Sequence, residues 1–174
     1  PEDVWGALPA RRSAPALHAR RMRLDGTQAF ALPDEAATDA LGRALAPRLG
    51  RGEALCLAGP LGAGKSTLAR ALIRALTTPD EDVPSPTFTL VQFYEGRGLP
   101  LAHFDLYRLT DPDEAYEIGL DEALEDGAAL IEWPQRLEGR LPPDRLDIEM
   151  ALDGAGRRVR LTPHGAWEGR ELEF

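Results

Sequence analysis

The apolar run Ala54-Leu55-Cys56-Leu57-Ala58 breaks directly into Gly59-Pro60-Leu61-Gly62-Ala63-Gly64-Lys65-Ser66. A short continuous run of this kind reads as a strand buried on both faces. Beyond the glycines, Leu68, Leu72, Ile73 and Leu76 form one stripe of a helix able to pack on a sheet. A buried strand, a G-x-x-x-x-G-K-[ST] loop and an amphipathic helix in register make the P-loop pattern. Its glycines let successive backbone N–H groups curl around a phosphate, and the helix start adds the positive end of its dipole. Gly59, Gly62, Ala63 and Gly64 are therefore expected to line the cradle. Lys65 is expected to reach the β- and γ-phosphates, and the Ser66 hydroxyl to hold Mg2+. Nineteen of the 20 basic residues are arginine, and Lys65 is the lone lysine of the chain.

The remaining sequence predicts an α/β sandwich around a mainly parallel sheet, with an antiparallel hairpin added at the end. A strand is expected over Thr27–Leu32. A helix should start at Pro33-Asp34-Glu35 and run toward Gly50, with Pro47 disturbing its last turn. Phe88–Tyr94 and Leu101–Leu106 read as two strands joined by Glu95-Gly96-Arg97-Gly98, after the rigid Pro84-Ser85-Pro86. Pro112–Leu124 reads as one or two short acidic helices, and Ala128–Trp133 as another buried strand. Arg145–Leu152 and Arg157–Thr162 pair across Asp153-Gly154-Ala155-Gly156. No internal repeat is present.

The 174 residues suit one domain, expected over 23–174 and preceded by a flexible Arg/Ala/Pro-rich extension, 1–22. An arginine-rich, acid-poor start can imitate a transit peptide; with no apolar signal core after it, an extension or an upstream start codon before Met22 is the expectation. The single cysteine, Cys56, permits no intrachain disulfide and no cysteine metal cage, which suits a reducing compartment and a cytoplasmic protein. No apolar run is long enough for a bilayer span, so no membrane partner is expected.

The net charge is −9; residues 1–26 carry +2, leaving −11 on the remainder, much of it between Glu95 and Glu138. Gripping a nucleic-acid backbone requires clustered Lys and Arg, so an acidic body argues against direct, unaided contact with nucleic acid.

A P-loop needs a carboxylate at the end of a neighbouring strand. Two strands offer one: Ala128-Ala129-Leu130-Ile131-Glu132 and Leu101-Ala102-His103-Phe104-Asp105. Glu132 is assigned to the metal shell and Asp105 to orienting or deprotonating the attacking water, with the reverse assignment as the alternative. Thr87 follows the first helix where a switch threonine sensing Mg2+ and the γ-phosphate would stand; the other reading is a rigid turn before a strand. Trp133-Pro134 reads as a stacking lid or as core. His103 reads as a packed or hydrogen-bonded residue in an alternating strand, while His18 and His164 fall in ragged ends.

A Ras-like GTPase is excluded, because its N-K-x-D base reader needs a second lysine. The stretch Asp111–Asp126 has no arginine to act as a lid over phosphates, which disfavours a stand-alone small-molecule kinase, although Arg136 and Arg140 keep that alternative open.

Four strings in series, Gly59 to Thr67, Ser85-Pro86-Thr87-Phe88-Thr89-Leu90-Val91, His103-Phe104-Asp105-Leu106-Tyr107-Arg108-Leu109 and Glu132-Trp133-Pro134, closely resemble the TsaE (YjeE) family from about Phe30 to Leu161. The resemblance implies a P-loop α/β fold and an ATPase using ATP with Mg2+ in threonylcarbamoyladenosine synthesis on tRNA. It also implies TsaB and TsaD as partners, with tRNA reached only through them. It assigns Ser66 and Glu132 to the metal and Asp105 to catalysis, extends the nucleotide-binding loop to Thr67, and places Glu35 and Arg157 near the nucleotide. Two departures stand out: Pro60 where Gly-Asp-Leu-Gly is usual, and Ser66-Thr67 in place of Thr-Thr. The second is chemically conservative; the first removes a carboxylate beside the phosphates.

Overall fold

The computed structural model describes residues 20–174. Among the described residues, nine strands and four α-helices follow in the order β1 (Arg21–Arg23), β2 (Gln28–Leu32), α1 (Glu35–Leu45), β3 (Ala54–Ala58), α2 (Lys65–Leu76), β4 (Val91–Glu95), β5 (Pro100–Asp105), α3 (Asp113–Glu117), α4 (Leu120–Asp126), β6 (Ala128–Glu132), β7 (Arg145–Asp153), β8 (Gly156–His164) and β9 (Glu171–Glu173). Seven strands form one sheet in the order β2-β8-β7-β3-β6-β5-β4. Its centre, β7-β3-β6-β5, is parallel, and antiparallel strands complete both sides.

The composition of each strand follows from what covers it. Along β3, Leu55 and Leu57 pack with Leu41, Leu45, Leu68 and Leu72 of α1 and α2, whereas Ala54 and Cys56 pack with Phe104, Leu109 and Leu120 on the other face. Both faces of the central strands are therefore dry, which is why β3 and β6 contain almost nothing but small and aliphatic residues. By contrast, β7 and β8 alternate buried and half-exposed positions, as strands covered on one face do. Asp34 caps α1 by accepting the Ala37 N–H at 2.8 Å, and Pro47 sits in a 3-10 turn after the helix. The two helices on this face approach so closely at Gly42 that an added Cβ would meet the Ala71 Cβ at 2.8 Å.

Three expectations are corrected. Arg21 and Met22, assigned to the extension, form β1, which pairs with β9 around the buried Trp167 and Leu172; residues 1–19, including His18, lie outside the described residues. Phe88, Thr89 and Leu90 are turn rather than strand, because the chain turns through a positive φ of 66° at Leu90 before β4 begins. His164 ends β8 in full register with Arg145, and its imidazole lies 2.9 Å from Asp147, so it belongs to the hairpin and not to a ragged end.

Candidate active site

Parallel register brings the functional residues together. Asp105 ends β5 directly beside Glu132 at the end of β6, and Glu132 is in turn the register partner of Leu57 in β3, one residue before Ala58 and the glycine loop. Two carboxylates and the loop thus lie at the carboxyl ends of three adjacent strands, where open α/β sheets place ligands.

The loop depends on glycine at two points. Gly59 has φ 146° and lies against β7, where a Cβ would stand 2.3 Å from the Met150 carbonyl oxygen. Gly64, at φ 99°, caps α2, and a Cβ there would meet Met150, Arg157 and Thr38. Between them the Ala63 N–H donates to the Pro60 carbonyl at 3.2 Å and closes the turn. Gly62 has a φ of 79°, Ser66 is exposed on the first turn of α2, and Pro60 and Leu61 face solvent.

Lys65 is buried and folded back over its own loop. Its ammonium donates to the Gly59 carbonyl at 2.5 Å and lies 4.4 Å from the centre of the Trp133 ring. Burial pushes the ammonium below the ordinary lysine range, while Glu132 and then Asp105 pull it back up without closing an ion pair. Trp133 holds this position through a left-handed backbone (φ 60°), and its other neighbour is the Tyr107 ring at 4.8 Å. Both readings of Trp133 have a counterpart in the structure: its ring lies over the lysine, and it also packs, half-buried, against the core on that face of the sheet; Pro134 after it is buried.

Asp105 is buried and held at both oxygens. Oδ1 accepts the Tyr107 N–H at 3.0 Å, and Oδ2 accepts the Thr87 hydroxyl at 3.1 Å. The Thr87 hydroxyl also lies 2.6 Å from the Ser85 hydroxyl, so the proline-flanked turn is tied to the aspartate through a side chain. Glu132, equally buried, is bound through Oε2 to His103 Nε2 at 3.0 Å.

Glu35 and Arg157 enter from the other side. Glu35 is the exposed first residue of α1, and with Thr67 and Arg70 it lines an open groove of about 740 Å3 along α2. Arg157 starts near the β7–β8 turn beside Leu32 of β2, and its aliphatic stem borders Gly64. Its Nη1 donates to the Gly156 carbonyl at 2.8 Å, and its buried Nε has no partner. The structure thus sets Arg157 against the loop, Glu35 in the adjoining groove, and Thr87, Asp105, Lys65 and Glu132 together at the strand ends.

The residues present suit a metal carried in by a nucleotide. No group of three or more His, Cys, Asp and Glu side chains able to hold a metal occurs among the described residues. Mg2+ is commonly held by one or two protein oxygens together with substrate phosphates and water, and Ser66 and Glu132 are hard oxygen donors of that kind.

Two contacts were not legible from spacing: the His103–Glu132 bond and the Trp133–Lys65 stack. Alternation carried the signal for the first. Leu101, His103 and Asp105 share one face of β5, as Ala128, Leu130 and Glu132 share one face of β6.

Fold and site together define a mixed α/β protein carrying a glycine-rich loop and paired carboxylates at the carboxyl edge of a mostly parallel sheet. The family described as "Threonylcarbamoyl adenosine biosynthesis protein TsaE" matches residues 32–159, and the chain belongs to that family. It is 34% identical over 143 residues to the "tRNA threonylcarbamoyladenosine biosynthesis protein TsaE" of Rickettsia felis, covering 82% of this chain and 84% of the relative. It is 38% identical to the Bacillus subtilis protein of the same description, covering 72% and 77%. The crystal structure of Bacillus subtilis YdiB superposes with a TM-score of 0.62 at 27% identity, covering 86% of this chain and 90% of that one.

Proposed function

We propose that this protein is a Mg2+-dependent ATP hydrolase whose activity supports threonylcarbamoyl transfer to the tRNA adenosine beside the anticodon by acting on TsaB and TsaD. The observation that carries this reading is the register of β3, β6 and β5, which aligns the glycine loop, Glu132 and Asp105 side by side.

Each residue then has a distinct task. Lys65 exchanges the Gly59 carbonyl and the Trp133 ring for phosphate oxygens, an exchange favoured because its ammonium is under-solvated where it lies. Asp105, fixed by the Tyr107 N–H, orients a water or takes its proton; the Thr87 hydroxyl, now on Oδ2, is the group poised to respond when a γ-phosphate arrives. Ser66 and Glu132 would hold Mg2+, which would supply charge neutralisation at the phosphate oxygens. Gly59, Gly62, Ala63, Gly64 and Thr67 surround the phosphates, with Glu35 and Arg157 flanking the nucleotide. The net charge of −9 fits a protein that reaches tRNA only through its partners, and the setting proposed is the cytoplasm.

Phosphate release from ATP, followed with and without the TsaB–TsaD pair, tests the reading. Stimulation by the pair is expected. Phosphate transfer to a small metabolite without any partner would overturn it in favour of a kinase.

A further inference from the structure

His103 is 3% exposed, in the middle of β5. Its register partner on β6 is Leu130, which makes Glu132 its diagonal neighbour on the same face of the sheet. The contact this produces is specific: Nε2 lies 3.0 Å from Glu132 Oε2. A carboxylate oxygen accepts, so the imidazole donates and carries its proton on Nε2. Nδ1 is left buried with no hydrogen-bond partner. An apolar side chain would fill this position without stranding a polar atom, so packing alone does not explain a histidine here.

The bond does two things to the carboxylate. It fixes Oε2, leaving Oε1 as the oxygen not engaged by His103. It also opposes the obvious competitor, the Lys65 ammonium, whose field reaches Glu132 although no ion pair closes between them. A glutamate free to swing onto that lysine would neutralise the cation meant for phosphate and withdraw the oxygen meant for the metal.

We propose that His103 is a positioning residue for Glu132: its Nε2–H holds the carboxylate in the orientation that accepts nucleotide-borne Mg2+ and keeps it off Lys65. This rests on the reading that places Glu132 in the metal shell. Outer-shell partners of this kind change metal affinity by about 10- to 100-fold when removed.

The test uses the full chain and a fluorescent ATP analogue displaced by ATP, titrated with Mg2+ and repeated in EDTA. His103→Leu removes the donor, His103→Gln retains one, and Glu132→Gln reports on the underlying reading. In EDTA the two His103 variants should bind ATP within about twofold of the unsubstituted chain. The Mg2+ concentration for half-maximal enhancement of ATP affinity should rise about tenfold or more in His103→Leu. It should recover to within about threefold in His103→Gln, a recovery that a merely structural role would not produce. If Glu132→Gln shifts the Mg2+ requirement and a folded His103→Leu does not, the positioning role is overturned while the metal reading stands. If Glu132→Gln leaves the requirement unchanged, that reading falls and the positioning role with it. Should His103→Leu not fold, the imidazole 15N signals of the unsubstituted chain decide: a proton on Nε2 is expected, and an Nε2 that carries no proton overturns the proposal.

Discussion

The Thr87 hydroxyl donates to Asp105 Oδ2 across 3.1 Å, linking the turn after α2 to the end of β5 through one short side chain. Since Oδ1 is already held by the Tyr107 N–H, Thr87 governs the remaining oxygen of the aspartate. Thr87→Val keeps the shape and removes the donor. ADP affinity should stay within about twofold, while single-turnover ATP hydrolysis should fall by about 100-fold, the cost of misplacing a reacting group by about an ångström.

Lys65→Ala removes the ammonium that the loop stores against Gly59 and Trp133. Hydrolysis should drop by at least about 100-fold and ATP affinity should weaken, because no other lysine exists to replace it. Trp133 fluorescence should also change in the nucleotide-free protein, and nucleotide titration followed by phosphate release checks all three effects.

Outside the site, Arg170 chelates the buried Glu53 carboxylate through both nitrogens and lies over the Trp167 ring at 4.6 Å. Arg170→Met leaves that charge buried with only the Gly50 N–H to satisfy it. The loss should be about 3 kcal/mol, read as a fall in melting temperature on the order of 8 °C.

Cys56 is 1% exposed in the centre of the sheet, and burial, then the Asp147 charge, pushes its thiol up to about 12. The native chain should therefore resist a thiol reagent at pH 8 that labels the unfolded chain at once. The sign of the linkage is fixed: between an unfolded value of 9.0 and about 12 the unfolded state has lost a proton that the folded state keeps. This thiol thus contributes full stability below pH 9 and progressively less as pH climbs through that window. Denaturant titrations at pH 8 and pH 10 check it.

Much of the fold and of the site is legible in the sequence. The Ala54–Ser66 string determined the central strand, loop and helix because burial on both faces, positive φ and helical periodicity each demand particular residues there. Asp105 and Glu132 were legible as strand ends, yet their adjacency was not, since register between strands separated by two helices is decided by packing. The turn at Phe88–Leu90 was misread because its apolar residues imitate a strand, while Phe88 in fact stands 80% exposed beneath the Arg108 guanidinium. Arg21–Arg23 was missed because a three-residue edge strand formed by contact with the distant Glu171–Glu173 has no local signature. Glu35 and Arg157 carry no motif of their own and were assigned through family resemblance alone.

The measurement that bears most directly on the proposed function is the rate of phosphate release from Mg2+–ATP in the presence of TsaB and TsaD, compared between the unsubstituted chain and Asp105→Asn, with ATP affinity measured on the same samples. Losing a water-orienting carboxylate should lower turnover by about 100-fold or more and leave affinity within about threefold. Equal turnover in the two proteins, or no hydrolysis above background by the unsubstituted chain with its partners present, would contradict the account.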